Sequence, residues 1–323
     1  MVRKLGCFGV LVMLALAGAA FWAVSQWGGA GPAKANVTVE VPAGATLSAA
    51  AQAMEKAGAI GDATTFLWMA RIFGDDAPIQ AGEYRVPAGI SQSDVLKMMQ
   101  GGKTLQRFVM VPEGMPSIMV HERLMAAPHL DGSVAVPAEG SVLPDSYAYA
   151  RGDTRAKVLA SMQAAMTKYL AAAWAKRKPG IAVNTPEEAI ILASIVEKET
   201  GKPEERRMVA GVYSNRLKRG MPLQADPTVI YPVTKGKPLG RRILRSELQA
   251  KNGYNTYASA GLPIGPIANP GRASIDAVLD PEQTNALYFV ADGSGGHIFA
   301  DTLEQHNANV QKWYALRRAR GEM

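Results

Sequence analysis

From Glu187 to Glu199 the chain reads Glu-Glu-Ala-Ile-Ile-Leu-Ala-Ser-Ile-Val-Glu-Lys-Glu, apolar at nearly every position between its charged ends. A helix that is apolar on all sides is a buried helix. Its limits are legible: Thr185 suits an N-cap, Pro186 the first helical position and Glu188 the third, and Gly201 supplies a stop. A second helix is predicted from about 203 to 219, with Met208, Val209, Val212 and Leu217 as its apolar stripe and Gly220 behind it. Upstream, Val158, Met162, Met166, Leu170 and Trp174 recur every four residues. That spacing predicts a long helix, capped by Asp153 and ending near Lys178, whose stripe is core.

The N-terminal pattern differs. Met1-Val-Arg-Lys4 is a basic flank before a charge-free apolar run from Leu5 to Val24, long enough to span a bilayer as a helix. It reads as a signal-anchor over residues 1–27; the alternative is a cleaved signal peptide, because Ala17-Gly-Ala-Ala20 offers small residues near a cleavage point. Residues 28–36, beginning Gly-Gly-Ala-Gly-Pro, form a linker. Beyond it Val41-Pro-Ala-Gly44, Val86-Pro-Ala-Gly89 and Val111-Pro-Glu-Gly114 repeat one unit. Each closes an extended stretch and precedes a helical pattern, predicting strand, tight turn and helix three times over residues 37–125. Ser91 and Asp94 mark one of the helix starts. These units look like small α+β binding modules, since few polar groups converge in them.

A looser segment runs from Ala126 to about Gly152. After Gly220, alternation predicts an extended strand over 221–231 with Gln224, Asp226 and Thr228 on one face. Tyr254-Asn255-Thr256-Tyr257 follows, and then the Pro/Gly-rich stretch from Gly261 to Gly271, which contains Asn269 and reads as a rigid loop. The chain closes with a predicted β-hairpin, 287–291 and 297–300 about the turn Asp292-Gly-Ser-Gly-Gly296, and a helix capped by Asp301 and Glu304. The fold class is therefore α+β.

Composition narrows the function. With 323 residues, 48% of them hydrophobic, the chain has room for a sizeable core and more than one domain. The lone Cys7 lies in the N-terminal apolar run, so the remainder has neither a disulfide framework nor a thiolate site. His121, His129, His297 and His306 are scattered without metal-ligand spacing. The net charge of +7 comes without a basic-aromatic module, which points to anionic lipid or cell-wall polymer rather than nucleic acid. Lys312, Arg317, Arg318 and Arg320 read as a solvated face.

The chemistry sits at the end of the apolar helix. A carboxylate there loses hydration, and its pKa rises toward that of a usable general acid. Glu199 continues the stripe of Leu192, Ile195 and Val196, whereas Glu197 follows Ile190, Ala193 and Ser194; periodicity leans only weakly to Glu199, and a solvated helix end with Lys198 bridging the charges is the bland alternative. Downstream, Gln, Asn and Thr side chains on rigid segments match sugar hydroxyls and acetamides, and Tyr rings match sugar faces. His297 could reach the same cleft as a hydrogen-bonding group, although a lone His is more often structural.

In these residues the sequence strongly resembles the endolytic murein transglycosylases, the MltG or YceG-like family. The resemblance rests on Ala193-Ser-Ile-Val-Glu-Lys-Glu-Thr200, Asn215-Arg-Leu217, Leu223-Gln-Ala-Asp-Pro-Thr-Val-Ile-Tyr231, Tyr254-Asn-Thr-Tyr257, Gly261-Leu-Pro263, Asn269-Pro-Gly271, Leu287-Tyr-Phe-Val-Ala-Asp-Gly293 and Gly296-His297. Pro144-Asp-Ser-Tyr147 and the repeated turns extend it over nearly the whole chain; Ala225 and Ile264 depart from the pattern without touching the chemistry. It implies a single-pass inner-membrane protein facing the periplasm, with LysM-like modules over residues 37–125 and a catalytic domain over 126–323. The implied reaction cleaves the β-1,4 bond between N-acetylmuramic acid and N-acetylglucosamine in nascent strands, leaves a 1,6-anhydro end, and needs no cofactor or metal. The resemblance places the catalytic acid at Glu199. Gln224, Asp226, Thr228, Tyr254, Asn255, Thr256, Tyr257, Asn269 and His297 are then candidates to bind glycan, with Glu197, Asn215 and Arg216 in support. The implied partners are peptidoglycan strands, the inner membrane and peptidoglycan synthases. Two alternatives stay open, a hydrolase using Asp226 as second carboxylate and a non-catalytic wall-binding scaffold.

Overall fold

The apolar N-terminal run forms a helix, α1 (Val2–Gly28), in a computed structural model that describes residues 2–322 and, of the side chains, those of residues 10 and 12–322. Among the described residues no helix is long and apolar enough to cross a membrane. The expected basic flank and Cys7 lie outside the described side chains.

Each Val-Pro-x-Gly turn joins a strand to a helix. β1 (Val37–Val41) leads through Gly44 into α2 (Leu47–Lys56); after α3 (Ala63–Phe73), β2 (Gly82–Val86) leads through Gly89 into α4 (Gln92–Gln100); β3 (Arg107–Met110) leads through Gly114 into α5 (Ser117–Ala126). The three glycines have φ of 76, 67 and 70°, a region that residues with a Cβ rarely enter. β1 and β2 pair antiparallel, from Val37 opposite Val86 to Val41 opposite Gly82. Alternation along β1 buries Val39 and Val41 against Met54, Phe66, Tyr84 and Met99. The pattern did not announce α3, which Asp62 caps by accepting from the Thr65 amide at 2.5 Å. Contacts divide the chain into two compact units, residues 1–107 with 149–152, and 108–148 with 153–323. The first two repeats lie in the first unit and the third belongs largely to the second.

In the second unit, β4 (Ser146–Tyr149) pairs with β3, and α6 (Arg155–Ala175) buries Val158, Met162 and Met166. Its cap is Thr154 rather than Asp153: the Thr154 hydroxyl accepts from the Lys157 amide at 3.2 Å, while Asp153 pairs with the Lys157 ammonium at 2.6 Å. α7 (Pro186–Glu199) is the apolar helix, buried at Ala189, Ile190 and every position from Leu192 to Val196. Thr185 caps it as expected, accepting from the Glu188 amide at 3.1 Å; the Glu188 carboxylate turns back to the Asn184 amide at 2.6 Å. After the 3-10 turn Pro203–Glu205, α8 (Arg206–Lys218) packs on α7, and both bury against α11 (Arg272–Leu279) through Ile275 and Val278.

One expected strand is a helix. Residues 226–234 form α9 (Asp226–Thr234), with Ala225 at its N-cap and Pro227 in its first turn. Thr228, Val229 and Ile230 favour a strand by type, but Pro227 has its φ already set for a helix start, where its missing N–H costs nothing. The chain reaches that start by a left-handed turn at Gln224, φ 53°. A short α10 (Arg245–Gln249) precedes the irregular, Pro/Gly-rich segment, which is loop as expected. β5 (Tyr288–Ala291) and β6 (His297–Ala300) make the expected antiparallel hairpin. α12 (Leu303–Ala319) is capped one residue later than expected, by Thr302, whose hydroxyl and the Gln305 side chain exchange bonds with each other's backbone amides.

Candidate active site

α7 ends at the floor of a cleft of about 610 Å³ whose walls come from α8, the Leu223–Asp226 turn, Tyr257, the β5–β6 hairpin and α12. α7 is buried on nearly every side, and Glu199, which follows Leu192, Ile195 and Val196 along one stripe, lines the cleft. Its Oε1 is buried and has no hydrogen-bond partner among the described residues. Burial pushes the Glu199 carboxyl up to about 7; the Tyr213 hydroxyl directed at it opposes this, the Asp226 carboxylate adds to it, and the Arg216 guanidinium again opposes. At neutral pH such a group divides its time between acid and base, which general acid–base catalysis requires.

Tyr213, on α8, is fully buried beneath the cleft, and its phenol is held far above its ordinary value, first by burial and then by the nearby Glu199 charge. Arg216, three residues on, is buried and acts as a wall tie. Its guanidinium donates to the carbonyls of Leu287 at 2.6 Å, Leu223 at 2.9 Å and Pro222 at 3.2 Å, and to Gln224 Oε1 at 3.3 Å. It also lies over the Tyr288 ring, 5.2 Å from the centroid. Asp226 is exposed at the cleft rim and accepts from the Tyr257 hydroxyl at 2.7 Å. His297 opens β6 and lines the same cleft, its Nδ1 2.8 Å from Glu205 Oε2.

Of the residues singled out from sequence, the cleft gathers Glu199, Arg216, Gln224, Asp226, Tyr257 and His297. The others do not line it. Thr228 is buried and bonds the Ala225 carbonyl and the Thr256 hydroxyl; Thr256 is buried with it, its hydroxyl accepting from the Ala225 amide. Asn255 donates to the carbonyls of Glu247, Leu248 and Ala250, closing the loop that carries Tyr257. Tyr254 packs on Tyr231, ring centroids 4.9 Å apart. Asn269 is fully buried, accepting from the Val142 amide and donating to the Met115 carbonyl, so it ties three segments together. Asn215 donates to the carbonyls of Thr284 and Ala286.

Glu197 faces away from the cleft, accepting from the Gly271 amide at 2.8 Å, with Arg206 3.8 Å away. The two glutamates of the triplet thus separate into one braced carboxylate and one with an unpartnered oxygen. In the basic C-terminal cluster Arg317 departs from the solvated face expected of it: it lines the cleft beside Trp313 and Tyr314. Two residues of this region gave no signal from alternation or charge. Tyr213 lies four residues from Val209 and from Leu217, so helical spacing marks it only as core; Glu205 sits in a charged turn that reads as solvent-facing. Among the described residues no group of three His, Cys, Asp or Glu side chains could hold a metal ion.

The comparisons with known proteins agree with one another. The model of the YceG-like family matches residues 39–312. The endolytic murein transglycosylase of Bacillus subtilis is 28% identical over 314 residues, covering 87% of this chain and 85% of that protein. The endolytic murein transglycosylase of Streptococcus pneumoniae serotype 2 is 28% identical over 327 residues, covering 86% of this chain but 58% of that longer protein. A 2.6 Å crystal structure of a putative yceG-like protein from Listeria monocytogenes superposes with a TM-score of 0.54 at 28% identity, covering 85% of this chain and 99% of that one. With a family model matched along most of its length, the chain belongs to the YceG-like family.

Proposed function

We propose that the protein is an endolytic peptidoglycan lytic transglycosylase that cleaves the β-1,4 bond between N-acetylmuramic acid and N-acetylglucosamine within nascent glycan strands and so ends their elongation. The observation that carries this reading is Glu199: one carboxyl at the cleft floor, its pKa raised to about 7 by burial, with an oxygen that has no hydrogen-bond partner among the described residues. The neutral carboxyl donates its proton to the glycosidic oxygen as the C1–O bond breaks. As carboxylate it then takes the proton of the muramyl C6 hydroxyl while that oxygen bonds to C1, closing the 1,6-anhydro ring and returning Glu199 to its starting state. One residue serves as acid and then base, so no second carboxylate is consumed.

Asp226 supports a second reading, because it shares the cleft with Glu199 and bears on its charge. Two carboxyl groups of suitable spacing would make a hydrolase. Mass spectrometry of glycan digested by the full chain separates the two. The expected product ends in anhydro-muramic acid, and Asp226→Asn keeps forming it; a reducing muramic-acid end, heavier by one water, would establish the hydrolase.

Gln224, Tyr257 and His297 contact glycan in this reading, while Thr228, Tyr254, Asn255, Thr256 and Asn269 shape the walls that present them. Residues 37–125 act as LysM-like modules that hold the strand, and 126–323 as the catalytic domain. Residues 1–27 anchor the chain in the inner membrane with the rest in the periplasm, beside the synthases that extrude the strand. Support for the anchor is the charge-free run, along which Val12, Leu14, Leu16, Phe21 and Val24 are exposed. Recovery of the full chain with membranes after an alkaline wash is expected; release into the soluble fraction would refute the anchor.

A further inference from the structure

Glu205 is the best-connected acid near the cleft that the proposed reaction leaves without a task. It closes the 3-10 turn between α7 and α8 and reaches two elements at once. Its Oε2 accepts from the Thr200 hydroxyl at 3.2 Å, at the residue that follows Glu199, and lies 2.8 Å from His297 Nδ1; its Oε1 accepts from the His297 amide at 2.9 Å. Both the Glu205 and His297 side chains are about 15% exposed, so water competes weakly for these bonds. Burial works to raise the Glu205 pKa, but the bonds from His297 and Thr200 outweigh it and hold the group below its ordinary value, as a carboxylate.

A carboxylate can only accept. Facing Glu205, His297 Nδ1 must therefore carry a hydrogen, and in the neutral imidazole Nε2 is then the lone-pair nitrogen. His297 lines the cleft, and its ring is held edge-on against Phe289, centroids 5.1 Å apart, which limits rotation about its side-chain bonds. We propose that Glu205 is a positioning residue that fixes the tautomer and orientation of His297, so that Nε2 stands in the cleft as a hydrogen-bond acceptor for a sugar hydroxyl or an acetamide N–H of the glycan. The same carboxylate ties the C-terminal end of the catalytic helix to the hairpin, setting His297 at a fixed offset from Glu199. The inference rests on the glycan-cleaving reading for its ligand, but its tautomer claim does not.

Glu205→Gln tests it. Glutamine keeps the size and still accepts from the His297 amide, yet its NH2 can donate to Nδ1 and so favours the opposite tautomer, with hydrogen on Nε2. In the full chain labelled with 15N-histidine, and with His297 assigned through His297→Gln, the expected wild-type spectrum of the neutral ring has a protonated Nδ1 and an unprotonated Nε2. Glu205→Gln is expected to reverse or average that pattern, to raise KM about 2- to 12-fold, the worth of one hydrogen bond, and to change kcat less. His297→Gln is expected to raise KM similarly, and the double variant to be no worse than the worse single one. A wild-type spectrum with hydrogen on Nε2, or single effects that multiply in the double variant, would overturn the proposal. Full cleavage by Glu199→Gln would instead overturn the enzymatic reading, leaving the spectrum to decide the tautomer by itself.

Discussion

Glu199→Gln is expected to reduce glycan cleavage by about 10²- to 10⁴-fold while leaving sacculus binding intact, because it removes the proton that the leaving oxygen needs and no contact that holds the strand. The assignment predicts the accompanying pH dependence. With the Glu199 carboxyl pushed up to about 7, wild-type kcat/KM is expected to fall as pH rises through that value and the acid form is lost. Stability should move with it. Below about 4.5, the ordinary value, the carboxyl is neutral in folded and unfolded chains alike. Between about 4.5 and 7 the folded protein keeps the proton and the unfolded chain releases it, so unfolding is favoured progressively as pH rises. Above 7 the loss is complete, at about 2 to 3 kcal/mol after allowance for the open side of the cleft. A glutamine amide in the same place has no charge to desolvate and carries no such penalty. The variant is therefore expected to match wild type near pH 4 and to exceed its stability by that amount near pH 8, as urea unfolding at the two pH values would measure. Equal stability at pH 8 would mean that Glu199 is not desolvated, and undiminished cleavage would leave the wall-binding scaffold as the better reading.

The part of the site that sequence reveals is the part written in helical period. A helix apolar on every side has one place to be, and its carboxyl-terminal acids inherit the burial of the stripes they continue; because Ile190, Ala193 and Ser194 are buried along with Leu192, Ile195 and Val196, periodicity marks both Glu197 and Glu199 and leans only weakly to the second. The repeated Val-Pro-x-Gly turns are equally legible, since proline and a left-handed glycine leave the backbone little choice. Where local preference and tertiary context disagree, pattern misleads. Asp226 to Tyr231 alternates and is rich in β-branched residues, yet Pro227 and the burial of Thr228 and Val229 make it helix α9. Asn269 and Asn255 look like sugar ligands because their amides suit acetamides, but the same donors and acceptors suit loop carbonyls, and there they are spent. Tyr213 and Glu205 were silent for the opposite reason. Each matters through a partner on another element, Glu199 or His297, and no spacing along one chain segment encodes that meeting.

Arg216→Met is expected to cost about 3 kcal/mol of stability and to move the alkaline limb of the activity profile upward. The guanidinium holds the carbonyls of Pro222, Leu223 and Leu287, and with them the turn that carries Gln224 and the strand that begins the hairpin. Methionine fills much of the volume but donates nothing, so acceptors in a buried setting lose their partner at about 1 to 3 kcal/mol each. Part of that loss is offset, because Arg216 itself is costly to bury: desolvation holds its pKa below the ordinary guanidinium value. The electrostatic consequence has its own sign. Arg216 favours the ionised form of Glu199, so without it the carboxyl keeps its proton to higher pH. Arg216→Lys separates the two effects. An ammonium restores the charge but not the planar fork that bonds several carbonyls at once, so the lysine variant should unfold nearly as readily as the methionine one while its pH profile returns toward wild type. If the lysine variant instead matches wild type in urea unfolding, a single charge suffices to hold the wall, and the tie between the Gln224 turn and the hairpin is not what shapes the cleft.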